Sequence, residues 1–459
     1  MVVQRAGAAW LARVGSETGP IYAAIVRALE AAIHEGELQP GDRLPAQRQV
    51  AEQLGVDLTT VTRAYAAAHA RGLVEGAVGR GTFVRLGAEE DDAGLIDLSM
   101  NLPPPPEGLS LAELLRDSID AILTRTDPAR LMAYHPGFGT LGQRGAGAAW
   151  LAPCLGERAP ETVLVSPGAQ AALAATLSTL CKAGDAVVAE PLTYPGFKAV
   201  TDQLGLRAIA CPVDADGPIP EALQETCARA RPMAVYLTPT MQNPTARTTP
   251  AARRRALARI IEAAGAWLVE DDPYSRLLDA PPPALATFLP ARWVYIGTLS
   301  KTLSPGLRVA YVVCATPGDA ARIAGGLRAI ALTPPPVMAA VATTWIREGR
   351  AEALLAAVRA EARARRALAA QLLPDAVGSA ESLHVWLPLP AAAAPEHIRA
   401  AAEARGLALV TQEAFAIGAA AEPGMRISLG GPGRRAVLAD ALRRLAETLA
   451  GPIGPRPVV

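Results

Sequence analysis

A lysine in a hydroxyl-rich segment is the first residue of this chain whose type suggests chemistry. The segment GTLSKTLSPGLR covers residues 297–308, and its Lys301 is one of only three lysines among 44 Lys and Arg residues. A lysine amine can form a Schiff base with an aldehyde, whereas an arginine guanidinium cannot. Thr298, Ser300 and Arg308 suit a phosphate, which accepts charge-assisted hydrogen bonds. A chance surface lysine in a Ser/Thr loop is the alternative.

Two other polar segments follow apolar, strand-like runs. In VLVSPGAQAAL, Gly168 permits a close backbone approach, and the amides of Ala169 and Gln170 begin a helix where a phosphate could bind. A plain tight turn is the alternative. In LTPTMQNPTA, Asn243 precedes a proline, so it is not readily helical, and its amide could donate to a ring oxygen. An ordinary Asn-Pro turn is the alternative there.

The segment WLVEDDPYSRL places three acidic residues at a strand end, before Tyr274. A metal site, a surface turn and a partner for a cofactor ring are all compatible with this pattern. The lack of a nearby histidine weakens the metal hypothesis, and we predict no metal site. A carboxylate that faced a pyridine nitrogen would keep it protonated, because an opposite charge stabilises the charged form.

These segments belong to a long region in which strand-like and helical sequence alternate. From about Asp97 onward, apolar runs such as TVLVSPG, MAVYLTPT and WVYIGT are separated by Ala-rich helical runs. The alternation predicts an α/β domain with a mostly parallel sheet, and ligands bind at the carboxyl ends of such strands. The end of the chain, with LHVWLPL and GMRISLG, is typical of a smaller α+β lobe.

The first 86 residues have a different pattern. Ile21, Ile25, Leu29 and Ile33 have the spacing of one apolar face of a helix. A second helix covers LPAQRQVAEQLG, with Pro45 suited to its first position and Gly55 at its end, and a third helix follows Asp57, which suits an N-cap. LVEGAVGRGTFV then predicts two short strands around a Gly-rich turn. Helix, helix-turn-helix and hairpin is the order of a winged helix-turn-helix.

Composition limits the class of protein. The chain has 459 residues, 51% of them hydrophobic, which suffices for about two to three domains. A formal net charge of zero excludes a wholly basic nucleic-acid binder but not a local basic face. The five cysteines lack metal-ligand spacing, and no long apolar run is present, so we expect a cytoplasmic protein with reduced thiols and no membrane segment.

We divide the chain into three parts. The acidic stretch LGAEEDDAG predicts an exposed linker, and the prolines of NLPPPPEGL would allow the linker to extend further. The predicted parts are a DNA-binding winged helix at 18–86, the linker at 87–96 and the α/β domain at 97–459.

The segments PLTYPG, NPT, EDDPY and SKTLSPGLR, in this order, resemble the fold-type I pyridoxal-phosphate (PLP) enzymes of aminotransferase classes I and II, over about residues 97–450. The resemblance implies that Lys301 forms a Schiff base with PLP. Asp271, three residues before Tyr274, would pair with the pyridine nitrogen, and Asn243 and Tyr274 would bond the phenolic oxygen. The residues implied to surround the phosphate are Ala169, Gln170, Thr298, Ser300 and Arg308.

Three further roles are implied by the resemblance alone. Tyr194 would stack on the cofactor ring. Tyr134 would reach the phosphate of the partner subunit in a head-to-tail homodimer. Arg426 would hold the α-carboxylate of a substrate through two hydrogen bonds. We interpret Lys182 and Lys198 as surface residues.

The first domain resembles the GntR-type winged helix over nearly all of residues 18–86, through LPAQRQVAEQLGV, TTVTRAY, RGLVE and GRGTFV. The resemblance implies that the third helix enters the major groove and that the wing approaches the minor groove. Leu58 stands where the family often has arginine, which leaves the operator preference open. For Arg63, a solvated helix face is the alternative. The residues expected at DNA are Arg43, Arg48, Thr59, Thr60, Thr62, Arg63 and Arg80.

A GntR winged helix joined to an aminotransferase-like domain is the arrangement of the MocR regulators. We therefore predict a homodimeric, PLP-dependent transcriptional regulator that binds a DNA operator and senses an amino acid or amine through aldimine exchange at Lys301. A working aminotransferase with an incidental DNA-binding domain is one alternative. A DNA-binding protein with a purely structural PLP site is another, and transaminase activity stays open because a fold does not settle function.

Overall fold

The computed structural model describes residues 9–16, 19–34, 37–38, 41–77, 81–84, 95–106, 109–134, 137–390, 393–418 and 423–450. The chain divides into two compact units, Met1–Gly94 and Leu95–Val459. The linker predicted at 87–96 lies outside the described residues except for its last two, Leu95 and Ile96, which belong to the second unit.

The first unit contains three helices and a hairpin, in the order predicted for a winged helix-turn-helix. A 3₁₀ helix, Ala9–Ser16, precedes them and buries Trp10. The two strands pair antiparallel. The elements are α1 (Ile21–His34), α2 (Gln47–Leu54), α3 (Leu58–Ala70), β1 (Val74–Ala77) and β2 (Gly81–Val84).

Local sequence explains how these helices are joined. Gly55 ends α2 with a left-handed φ of 63°, a conformation that costs glycine little. Asp57 caps α3, because its carboxylate accepts hydrogen bonds from the amide and the hydroxyl of Thr59. The apolar faces of the helices then meet in one core around Ile25, Val50 and Val61.

The second unit alternates strands and helices, as predicted. Its helices are α4 (Leu111–Arg125), α5 (Pro128–Leu131), α6 (Leu141–Leu155), α7 (Ala169–Leu180), α8 (Pro195–Gln203), α9 (Pro220–Ala230), α10 (Ala251–Ala263), α11 (Pro317–Ala331), α12 (Pro336–Arg347), α13 (Arg350–Leu372), α14 (Pro395–Glu403) and α15 (Arg435–Ala450). Its strands are β3 (Ile96–Asp97), β4 (Val163–Ser166), β5 (Ala186–Ala189), β6 (Arg207–Ala210), β7 (Val213–Asp214), β8 (Gly217–Pro218), β9 (Ala234–Leu237), β10 (Trp267–Asp272), β11 (Trp293–Thr298), β12 (Ala310–Cys314), β13 (His384–Pro388), β14 (Leu407–Ala408), β15 (Val410–Thr411) and β16 (Gly424–Ser428).

A seven-stranded sheet forms the centre of this unit, in the order β4-β12-β11-β10-β9-β5-β6. Strand β12 is antiparallel to both of its neighbours, and the other neighbouring pairs are parallel. Strands β4, β5, β9, β10, β11 and β12 are buried at every position. Helices that cover both faces of a parallel sheet produce this burial, which explains the continuous apolar runs. The α/β fold class is confirmed.

A smaller lobe carries an antiparallel sheet of order β13-β16-β15. Strand β3 pairs in parallel with β14, so the segment that follows β3 enters the unit instead of remaining outside it. Asn101 of NLPPPPEGL is only 4% exposed. The prediction that the exposed linker extends through this residue is therefore wrong. None of the described helices is long and apolar enough to cross a membrane. The five cysteines are free and buried.

Candidate functional site

A cavity of about 370 Å³ lies where strands of the central sheet end. Asp271 of β10 and Thr298 of β11 line it, and so does the start of α7. The carboxyl ends of parallel strands meet at one edge of a sheet, which brings together segments that are far apart in sequence. Eleven of the twelve residues predicted to contact a cofactor or substrate line this cavity: Ala169, Gln170, Tyr194, Asn243, Asp271, Tyr274, Thr298, Ser300, Lys301, Arg308 and Arg426.

Lys301 follows β11, and its amine donates a hydrogen bond to the backbone carbonyl of Asn101. Burial, together with the charges of Arg426 and Arg308, lowers the pKa of the amine from its ordinary 10.5 to about 8, although Asp271 opposes this shift. About a tenth of such amines are neutral at pH 7, against fewer than about one in a thousand for an ordinary lysine. The neutral amine is the nucleophile, so Lys301 is poised to attack an aldehyde.

Asp271 is 5% exposed, and its carboxylate has one engaged oxygen. Oδ2 accepts a hydrogen bond of 2.8 Å from the Tyr236 hydroxyl, while Oδ1 is buried without a partner among the described residues. Burial raises the pKa of Asp271 to about 7, with Asp272 adding to the rise and Tyr236 and Lys301 opposing it. A buried acceptor without a donor is costly, so this oxygen suits an incoming N–H group.

The turn before α7 is shaped for an anion. Gly168 has φ 92°, and a Cβ added there would lie 2.7 Å from Nη2 of Arg308, so glycine allows the guanidinium to lie against the turn. The first amides of a helix, here those of Ala169 and Gln170, have no partner within the helix. The Ser300 amide donates to the Thr298 hydroxyl at 3.2 Å, and that hydroxyl donates to the Ser300 hydroxyl at 3.0 Å, which holds both hydroxyls at the cavity. Donors and positive charge therefore converge here.

Arg426 of β16 is buried beside the same cavity. Its Nη1 donates to Oδ1 of Asn243 at 2.8 Å, its Nη2 donates to the Ser99 carbonyl, and its guanidinium lies 5.0 Å from the Phe415 ring centroid. Its Nε is buried without a partner in the part of the chain that the structure describes. Burial lowers the pKa of Arg426. The guanidinium is therefore fixed in place with donor capacity left for an acid group.

The two remaining tyrosines differ in position. Tyr194 lines the cavity at the start of α8, and burial raises the pKa of its hydroxyl. Tyr134 is 79% exposed and lies outside the cavity lining. Its contact with a partner subunit stays a prediction.

Three functional candidates were missed by the sequence analysis: Asn101, His384 and Tyr236. Asn101 Nδ2 donates to the Tyr274 hydroxyl at 2.8 Å and to Nδ1 of His384 at 3.1 Å. Because the Gln242 carbonyl, 3.3 Å from Nε2, can only accept, Nε2 carries the proton and Nδ1 accepts from Asn101. Burial, with Arg426 nearby, lowers the pKa of His384 to about 3, so this ring stays neutral.

This arrangement assigns a direction to the Tyr274 hydroxyl. Its oxygen accepts the hydrogen bond from Asn101, which leaves its own proton for a ligand in the cavity. A sequence signal for Asn101 was available only as an unusual asparagine before a proline run, and that signal does not identify a partner.

Replacing Asn101 with alanine is expected to lower the free energy of unfolding of the second unit by about 1–3 kcal/mol, because it leaves buried groups of Tyr274 and His384 without their donor. Urea unfolding followed by tryptophan fluorescence measures this change. Met100→Ala, next to it and 56% exposed, is the control and should change stability by less than about 0.5 kcal/mol. Equal stability of both variants would contradict the hydrogen-bond assignment.

Of the described residues predicted at DNA, Arg48 lies on α2, the threonines and Arg63 lie on α3, and Arg43 precedes α2 and forms a β-bridge with Phe83 of β2. Arg43, Arg48 and Arg63 are exposed, as are Thr59 and Thr62, whereas Thr60 is half-buried. The Arg43 side chain lies against β2, with Nε 2.9 Å from a Cβ added at Gly81. Arg80 lies outside the described residues.

Internal contacts restrict three of these side chains. The hydroxyl of Thr59 donates to Asp57, and the single hydroxyl proton of Thr62 lies within reach of two acceptors, Oε1 of Gln47 and the Leu58 carbonyl. Arg63 stacks on the Tyr22 ring at 4.0 Å. The threonines therefore offer acceptors, while the charge for phosphates comes from the arginines.

Comparison with known proteins agrees with this geometry. The solved structure of LysN, an alpha-aminoadipate aminotransferase of Thermus thermophilus complexed with N-(5'-phosphopyridoxyl)-L-leucine, is 28% identical, covers 78% of this chain and 92% of its own, and superposes with a TM-score of 0.70. The second unit thus has the fold of the aminotransferases. Residues 94–445 match the family model "Aminotransferase class I and II" and residues 21–84 match "Bacterial regulatory proteins, gntR family". The chain belongs to the aminotransferase class I and II family and carries a gntR-family domain ahead of it.

Two relatives of the chain are named as regulators. The uncharacterized HTH-type transcriptional regulator YdeF of Bacillus subtilis is 29% identical over 455 residues, covering 96% of this chain and 97% of YdeF. The probable rhizopine catabolism regulatory protein MocR of Rhizobium meliloti is 30% identical over 335 residues, 64% of this chain and 65% of MocR. The predicted resemblance to MocR-type regulators is confirmed.

Proposed function

We propose that this protein is a PLP-dependent transcriptional regulator whose first unit binds a DNA operator and whose second unit senses an amino acid or amine. The observation that carries the proposal is the presence, in one chain, of a gntR-type winged helix and a cavity with a buried lysine of low pKa. The similarity to the HTH-type regulator YdeF over nearly the whole chain supports it.

The cavity residues fit PLP. The unpartnered Oδ1 of Asp271 would accept from the ring nitrogen, and the turn at Gly168 leaves room for a phosphate beside Arg308. Lys301 would hold the cofactor covalently, and Tyr194 would cover its ring. When bound, PLP supplies an aldehyde carbon that condenses with amines. The other residues that would hold its phosphate are Ala169, Gln170, Thr298 and Ser300.

Three residues of this chain would act around a bound amino acid: Arg426, Tyr274 and Asn101. Arg426 would orient the carboxylate through the donors left on its guanidinium. Tyr274 would donate its hydroxyl proton to the phenolic oxygen of the cofactor, since Asn101 already donates to the tyrosine oxygen. The Asn101 carbonyl accepts from Nζ of Lys301 and so provides a place for that amine whenever an incoming amine has replaced it. Asn101 therefore serves both the ligand side and the lysine side of the cavity.

A homodimer completes the proposal. The exposed ring of Tyr134 is available to the cavity of a second copy, as the family resemblance implies for a head-to-tail pair. Paired winged helices would read repeated half-sites. Allostery would then be a coupling free energy between the ligand cavity and the DNA surface.

The test uses the full-length protein with PLP and a panel of amino acids and amines. DNA sites are first selected from a random library, and DNA affinity and the PLP absorption spectrum are then followed together. A compound that moves the absorption band to a stable new position and also changes DNA affinity is the expected result. As a check on the DNA surface, Arg48→Ala should weaken binding to all sequences and reduce the salt slope by about 1.

An active aminotransferase is the second candidate function. It is favoured by the similarity to LysN and by the cavity, which contains eleven of the twelve residues predicted to contact a cofactor or substrate. Steady release of a keto acid from a panel compound, without any change in DNA affinity, would favour this enzyme and overturn the regulator.

The pH dependence of PLP capture follows from Lys301. Below about pH 8 the amine is mostly protonated, so the rate at which PLP attaches to cofactor-free protein should rise with pH and level off above about pH 8. Stopped-flow absorbance measures this rate. Arg426→Gln removes a positive charge that lowers this pKa, so its profile should shift to higher pH. An unchanged profile would show that Arg426 does not act on Lys301.

A further inference from the structure

A second cavity, of about 460 Å³, lies next to the first. Gln242 lines the second cavity and Asn243 lines the first, so both share one stretch of chain as a wall. The second cavity is formed at the ends of β5 and β6 and by Ile417, which follows β15 in the small lobe. Much of its wall is apolar, from Leu192, Ala210, Val213 and Ile417. Cavities of this size and character suit small organic ligands.

Glu190, directly after β5, is the unusual residue of this wall. It is 4% exposed, its Oε1 accepts a long hydrogen bond of 3.4 Å from the Thr238 amide, and its Oε2 is buried without a partner among the described residues. Burial raises the pKa of this carboxyl to about 8, and Asp271 adds to the rise. A buried acid in this condition needs either its proton or a cation.

The other charged groups of the wall already have contacts. Asp214 is paired with Arg253 at 2.9 Å, and Arg247 donates to the Asp214 carbonyl at 3.4 Å. Among the described lining residues, Glu190 is thus the carboxylate that no cation pairs with. A ligand with a positive charge would allow the carboxyl to give up its proton and form an ion pair, whereas beside a neutral ligand the carboxyl would have to keep its proton.

We propose that this second cavity binds a hydrophobic amine, with the ammonium on Glu190 and the hydrocarbon part against Leu192, Val213 and Ile417. The inference rests on the cavity and not on the proposed function. A ligand here would contact both the central sheet and the small lobe, which already meet through the hydrogen bond from the Ile417 amide to the Pro191 carbonyl. It would also contact Gln242, whose carbonyl holds His384 behind the first cavity.

The probe is N,N-dimethylhexylamine, because a tertiary amine cannot condense with an aldehyde and so cannot react in the first cavity. Isothermal titration calorimetry on the full-length protein should show one site per chain. Glu190→Gln, which keeps the shape and removes the charge, should weaken binding at least about tenfold. Glu225→Gln, on the exposed face of α9, is the matched control and should bind as the wild type does. Hexanol, of similar length but neutral, should bind at least about tenfold more weakly than the amine.

A second variant separates loss of the site from loss of the fold. Val213→Phe adds bulk from the half-buried β7 and should reduce amine binding to a similar extent, with far-ultraviolet circular dichroism unchanged. Amine binding that persists in both variants, hexanol binding as tight as amine binding, or the lack of binding at millimolar amine would overturn the proposal. Each of these results leaves the amino acid and DNA experiment intact, so the two proposals can fail separately.

Discussion

Lys301→Arg is expected to abolish covalent retention of PLP while keeping a positive charge in the cavity. After reduction with borohydride, the wild type should retain about one PLP per chain and the variant none, because a guanidinium does not form the required bond. Mass spectrometry of the intact chain measures the retained mass. The variant should also lose any change in DNA affinity on addition of the amino acid identified for the wild type.

Because the chain has only three lysines, Lys198→Arg is a suitable control for Lys301→Arg. Lys198 donates to the carbonyls of Glu413 and Ala414 at 3.1 Å and lies outside the cavity lining, so Lys198→Arg should retain PLP as the wild type does. Label that remained in Lys301→Arg would have to lie on Lys182, Lys198 or the chain amino terminus. Peptide mapping would identify it, and such a result would refute the assignment of Lys301.

Arg254→Met is expected to cost the second unit about 3–5 kcal/mol of unfolding free energy. Arg254 and Glu270 are both 0% exposed, and Nη1 lies 3.7 Å from Oε1. The guanidinium also donates to the carbonyls of Thr249 and Pro239. Its removal leaves a buried carboxylate and several buried carbonyls without a partner. Urea unfolding measures the loss, and Arg259→Met on the exposed side of the same helix should change stability by less than about 0.5 kcal/mol.

The stability deficit of Arg254→Met, meaning its loss of unfolding free energy relative to the wild type, should also depend on pH. Burial raises the pKa of Glu270 to about 7, and Arg254 is the charge that opposes this rise. A carboxyl whose pKa is higher in the folded state loses folded stability as pH rises from its unfolded value toward its folded one. Without Arg254 this penalty grows, so the deficit should be larger at pH 8 than at pH 6. The double variant with Glu270→Gln should recover part of it, and no recovery would contradict the ion-pair explanation.

Much of the fold can be predicted from local sequence patterns. Asp57 and Gly55 mark the ends of helices because a short acceptor and a left-handed turn act within a few residues. Apolar runs such as that of β11 predicted buried strands, since a strand covered on both faces lacks the alternation of apolar and polar residues seen in a half-exposed strand. Polar residues after those runs, such as Thr298 and Asp271, then meet at one edge of the sheet for topological reasons. The roles of Tyr194 and Arg426 were implied by the family resemblance alone.

The missed residues depend on contacts between distant parts of the chain. Asn101 is 173 residues from Tyr274 and 283 from His384, and no local pattern records either contact. Its prolines suggested an extended linker. The pairing of β3 with β14 draws the segment into the unit, and that pairing is invisible in sequence because each strand has two residues.

Strand β10 carries three acids in succession, Glu270, Asp271 and Asp272, and alternation along a strand sends the middle one to the opposite face from its neighbours. Asp271 lines the cavity, while Asp272 accepts from Tyr295 at 2.9 Å and from the Ser275 amide at 2.8 Å. The charge of Asp272 nevertheless raises the pKa of Asp271. The pKa of Asp271, which would face the ring nitrogen, is therefore influenced by a residue on the opposite face of the strand that does not line the cavity. Two chains with identical cavities but different scaffolds could hold the same cofactor in different protonation states, and a comparison of cavity residues alone would not distinguish them.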